Sequence, residues 1–285
     1  MAKKHLGIVN NYPEIWRLIN LSLVMGIKEN NIPSIYNYCD RWCEKCAFTS
    51  RCLNYKFGER LENSIDNQDE INKLFWELFD DNLEDTYNVI ERNESKSNEF
   101  IEKVDDDSSF GDNYDFNIED DDEDSGDDFR LKHLIAESNE AAILSKEYIN
   151  LVTNWFKNTK EKIGDEIDEF ILSDDALIKL SDAIEVIQWY YFFIYPKVMR
   201  ALQGKDEDLF EDEFPKDSDG SAKIALIAVE RSISAWGYVY MKLNAFNDSV
   251  YSVIQQLVNL QHAIEAEFPN ARNFIRPGFD EINNK

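Results

Sequence analysis

Apolar residues along this chain recur at steps of three and four, the period of an α-helix, and no run alternates apolar and polar positions as a half-buried strand would. The second half carries four such segments, about 131–159, 174–203, 220–246 and 248–268. Leu134, Ala141, Leu144, Tyr148, Leu151 and Trp155 form the stripe of the first, and Leu177, Leu180, Ile184, Ile187, Tyr191, Ile194 and Val198 that of the second. The third reads Ala222, Leu226, Val229, Ile233, Trp236, Tyr240 and Leu243, and the fourth Val250, Val253, Leu257, Leu260, Ile264 and Phe268. Each stripe needs a partner face, and short links make neighbours antiparallel, so the pattern predicts an all-α fold built on an up-down-up-down four-helix bundle. Ala225, Ala228, Ser232 and Ala235 add a small-residue face for close approach, and Pro196 predicts a kink or break near Tyr195.

The first half is less regular. An apolar segment, IWRLINLSLVMGI, is followed by a break at 30–33 and a helix start at Pro33 and Ser34. Ile71, Leu74, Phe75, Leu78, Phe79 and Leu83 then predict helix within 68–104. Residues 105–128 contain 13 acidic and no basic side chains, a composition that cannot bury enough surface to order itself. The expected organisation is a helical region with the cysteines over 1–104, an acidic disordered linker over 105–128 and the bundle over 129–285.

Composition narrows the partners. With 57 Asp and Glu against 30 Lys and Arg, the formal charge is -27, which repels nucleic acid and anionic membrane surfaces. The start has no secretory h-region, and the most apolar runs, IALIAV and WYYFFIY, are too short to span a bilayer. The expectation is a soluble cytoplasmic protein, with protein as the remaining class of macromolecular partner.

In a reducing compartment, clustered thiols point to metal or redox work. All four cysteines fall within YCDRWCEKCAFTSRC: Cys39, Cys43, Cys46 and Cys52. On a helix the first three share a face, and a turn through AFTSR returns the fourth, so the set reads as four thiolates on one metal centre. Zinc needs sulfurs about 3.7 Å apart and commonly takes two separated C-x2-C knuckles, of which this chain has one. A 4Fe-4S cluster is wider and draws on closely spaced cysteines, so it is preferred, with zinc as the alternative. CDRWCEKC resembles the C-x3-C-x2-C spacing of radical S-adenosylmethionine enzymes, and CEKCAFTSRC resembles segments of auxiliary-cluster domains and cluster-bearing RecB-like nucleases. Neither family's catalytic body accompanies the match. Together with GSAKIALIAVERSISAW and FPNARNFIRPGFDE, the full stretch is similar to a group of uncharacterised bacterial all-helical proteins, a resemblance that implies a metal-binding cluster but no reaction.

Helical bundles also hold di-iron sites on inward carboxylates. Glu137, Glu140, His262 and Glu265 would gather at one end of the predicted bundle, where Lys197, Arg200 and Lys223 also fall, with His133 and Glu230 as further candidates nearby. Ion pairing is the plainer account, because two Glu-x-x-His pairs are lacking. The aromatic run at 189–193 reads as core packing. Three functions follow: a binding or regulatory module with a mainly structural four-cysteine centre, an iron-sulfur redox protein, or a carboxylate-metal bundle enzyme.

Overall fold

The computed structural model describes residues 31–58, 68–94, 123–160, 162–163, 173–205 and 216–280. The apolar segment at 15–27 and residues 105–122 of the acidic tract lie outside them. The described residues are mostly helical, with no strand among them. The helices are α1 (Leu53–Gly58), α2 (Gln68–Glu94), α3 (Glu123–Glu137), α4 (Glu140–Thr159), α5 (Asp174–Gly204), α6 (Asp217–Lys242) and α7 (Asn247–Glu267). Among the described residues, no helix is long and apolar enough to cross a membrane.

The predicted first segment is two helices. The chain breaks at Ser138, and the Asn139 side chain caps α4 by accepting the Ala141 N–H at 2.9 Å. That break changes the phase of the stripe: Leu134 is exposed, while Ala141, Tyr148, Val152 and Trp155 are buried. The acidic tract also ends sooner than expected, since residues 123–128 begin α3. Helix α5 starts under Ser173, which accepts the Ala176 N–H, and it continues unbroken through Pro196. Its fully buried aromatic residue is Tyr190 rather than Tyr191.

Helix α6 organises the body. It packs against α2, α5 and α7, while α4 lies against α5 and α7. Almost every side chain from Ser218 to Val239 is buried, so α6 is a central helix rather than an amphipathic one. Ala225, Ala228, Ser232 and Ala235 are all within this buried stretch. Glycine is required where α2 crosses it: a Cβ on Gly237 would stand 1.9 Å from Thr86 Oγ1. The face of α2 that is buried carries Asn72, Trp76, Thr86 and Ile90, whereas the predicted stripe residues Ile71 and Leu74 are exposed. This rotation brings α2 onto α6, so the N-terminal region and the helices of the second half share one core.

Candidate metal centre

The cysteine stretch is not the predicted helix. It is a looped strap of three single 3-10 turns, Ile35–Tyr38, Cys43–Lys45 and Thr49–Arg51, with Cys39, Cys46 and Cys52 in extended backbone between or after them. Ser34 and Arg41 take left-handed φ values of 60° and 57°, which no helix accommodates. The Ile32 N–H donates to the Arg51 carbonyl at 3.0 Å and ties the ends of the strap together.

The body dictates this path. Trp42 is buried, stacked on Trp189 with centroids 5.0 Å apart and set edge-on to Trp76 at 5.8 Å. Two residues earlier, the Asp40 carboxylate receives the Trp42 N–H at 3.1 Å, the Tyr190 hydroxyl at 2.6 Å and Arg231 Nη1 at 2.7 Å. From α2, Asn72 donates to the Cys46 carbonyl and Trp76 Nε1 to the Lys45 carbonyl, at 2.9 and 2.8 Å. Asp69 accepts the Thr49 and Ser50 N–H groups, each at 3.1 Å, together with both hydroxyls. Gly220 permits the last approach, since a Cβ there would meet the Tyr38 ring at 2.4 Å. The strap forgoes helical hydrogen bonds because side chains on α2 and α5 satisfy its backbone instead.

Within this frame all four cysteines line one cavity of about 260 Å³, and all four are half-buried free thiols. By the same measure one water fills roughly 10–15 Å³, so the space exceeds what a single ion occupies. Burial pushes the Cys43 thiol up to about 11, with Cys39, Glu44 and Cys52 adding to it. Burial also pushes Cys46 up to about 12, and Cys39 is raised chiefly for the same reason. These three thiols are held protonated in the metal-free chain, so a metal centre would have to displace their protons on binding. Among the described residues, no three His, Cys, Asp or Glu side chains are drawn close enough to hold a metal ion as they stand. The four thiols share one cavity, and ligation of any centre would require them to draw together.

The second predicted cluster is dispersed into ion pairs. Glu137 accepts from Lys146 at 2.7 Å and from the Tyr195 hydroxyl at 3.1 Å, with His133 Nε2 at 3.5 Å. Its partner is therefore Lys146 and not Lys197 or Lys223, because the break at Ser138 turns the end of α3 back toward α4. Glu230 and Glu265 both bind Arg272, at 2.8 and 2.5 Å. Glu140 and His262 are exposed.

Sequence reasoning passed over the residues that seat the strap: Asp40, Trp42, Tyr190 and Arg231. One signal was available, since Glu230 and Arg231 are the sole charged residues between Lys223 and Lys242. Charges in such an apolar helix need partners from elsewhere in the chain. No family model, curated protein or solved structure matches this chain.

Proposed function

We propose that this is a cytoplasmic helical binding or regulatory protein in which Cys39, Cys43, Cys46 and Cys52 hold a 4Fe-4S cluster of mainly structural role. The observation that carries the reading is the cavity: thiols spread over 14 positions and two 3-10 turns line one space. A bound cluster would supply the positive charge that draws protons from the thiols, and its binding free energy would add to the strap's folding free energy. Ile35, Trp42 and the Phe48–Phe279 contact already pack the strap, and a centre would add a cross-link between its turns. Zinc is the alternative occupant, and the breadth of the cavity favours the wider one.

Half-burial of all four cysteines supports a second reading, an iron-sulfur redox protein, because a centre there would be open to exchange with solvent partners. Anaerobic purification with iron, sulfide and zinc analysis tests both. About four irons and four sulfides per chain with a broad visible absorption are expected. Stoichiometric zinc without sulfide would overturn the cluster, and a chromophore that cycles reversibly with reductant would favour electron transfer over a structural role.

A further inference from the structure

Behind the thiols lies a second cavity of about 250 Å³, and Cys39, Asp40, Cys46 and Phe279 line both spaces. Four cations line it, each with a carboxylate partner: Lys45 with Asp182 and Glu185, Lys73 with Glu77, Arg231 with Asp40 and Arg276 with Asp280. In a chain of formal charge -27, the long-range field repels anions, so an anionic ligand can settle only where cations are gathered locally.

The cations differ in how they are held. Arg231 is anchored by Asp40, and its guanidinium lies over the Trp76 ring, 3.5 Å from the centroid. Arg276 meets both carboxylate oxygens of Asp280 at 2.8–3.2 Å and lies over Phe279 at 4.7 Å. Such fixed groups need little reorganisation when a ligand arrives. Lys73 is the adaptable one: its ammonium stands 3.7 Å from Glu77 on an exposed turn of α2, a pairing worth little in water. Between the charges, Trp76, Ile224 and Ile227 offer an apolar surface. A concave space with an apolar wall and a few convergent charges is the usual form of a small-molecule site.

We propose that this cavity binds a small organic anion, a carboxylate or phosphate on a flat apolar body, with the anionic end among the cations and the body against Trp76 and Ile227. The site needs neither a metal nor ionised thiols, so it stands apart from the metal-centre reading.

Calorimetric titration of the purified 285-residue chain with 2-naphthyl phosphate and 2-naphthoate tests it, with 2-naphthol and inorganic phosphate as controls. One-to-one binding of at least one naphthyl anion is expected, about tenfold or more tighter than either control. The two anions show which head group the cations prefer. Lys73→Glu, at an exposed position, should weaken that binding about tenfold, and Ile227→Trp should occlude the apolar wall. Melting curves of both variants verify folding, and Lys73→Glu carries the test alone if Ile227→Trp is destabilised. The proposal is overturned if neither anion saturates below about 10 mM. It is equally overturned if naphthol or inorganic phosphate binds as tightly, or if folded Lys73→Glu binds like the unaltered chain.

Discussion

Arg231 Nη1 meets the Asp40 carboxylate at 2.7 Å across 191 positions of the chain, and the Tyr190 hydroxyl joins both at 2.6 Å. The pair is mostly buried, with side chains 21% and 18% exposed. Tyr190 itself is fully buried, which holds its hydroxyl well above the usual tyrosine range and keeps it a hydrogen-bond donor. Asp40 adjoins Cys39, so this contact fixes the strap to the body beside the first thiol.

Asp40→Asn should therefore destabilise the protein by about 2–4 kcal/mol, because it leaves Arg231 mostly buried without its counter-charge. Urea unfolding measures the loss, and faster reaction of Cys39 with a thiol reagent in metal-free protein reports release of the strap. A stability change within about 0.5 kcal/mol would show that Trp42 and the α2 contacts seat the strap without this ion pair.

The helices of the second half were legible because their apolar stripes repeat over many turns, and tertiary packing had nothing to override. Phase was harder to read. In the run at 189–193 every residue is aromatic, and the sequence alone could not choose Tyr190 over Tyr191 as the buried position. Leu134 was misplaced because Ser138 and Asn139 offer a cap that the stripe ignores. The strap was least legible: spacings of four and three between cysteines suit a helix, yet Asp40, Asn72 and Asp69 supply hydrogen bonds that make a non-helical path better. The four thiols line one cavity, but not through the shared helix face that their spacing suggested, and most of the residues that seat the strap lie on α2, α5 and α6, far along the chain.

Cys43→Ser and Cys52→Ser test the ligand set from its two ends. Each should abolish the visible absorption of an anaerobically prepared cluster and lower the melting temperature of the metal-loaded chain, since a lost ligand removes binding free energy that contributes to folding. In metal-free protein the same variants should melt within about 2 °C of the unaltered chain, because half-buried thiols contribute little by packing. Full iron content in Cys52→Ser would restrict the ligands to Cys39, Cys43 and Cys46.

Gly237→Ala probes the crossing of α2 over α6. A Cβ there would stand 1.9 Å from Thr86 Oγ1 and 2.8 Å from Thr86 Cβ. Loss of about 2–4 kcal/mol is expected despite the better helix propensity of alanine, because neither buried helix can shift freely. Adding Thr86→Ala should recover part of that loss, since it removes the nearer atom but not the Cβ. A double-mutant cycle showing no coupling would mean that the helices separate rather than clash.

The C-terminal segment supplies a pH-dependent contact. Burial pushes the Asp280 carboxyl up, but hydrogen bonds from Arg276 and Lys223 outweigh it and hold the group at about 2, below its ordinary 3.8. Lys223 Nζ lies 2.8 Å from Asp280, and the carboxylate's side chain is 20% exposed. Because the folded pKa is the lower one, the unfolded chain binds more protons between these two values, so stability from this group rises with pH across that window. It is fully present above about pH 4 and lost as the pH falls toward 2, and a separation of nearly two units corresponds to roughly 2–3 kcal/mol. Asp280→Asn should cost about that much at pH 7 and almost nothing near pH 2, measured as the difference in urea unfolding between variant and unaltered chain. Phe279 lines the cysteine cavity beside this contact, so the variant should also raise thiol reactivity at neutral pH. A stability difference that stays constant from pH 7 to pH 2 would mean that Asp280 acts through packing, with its charge contributing nothing.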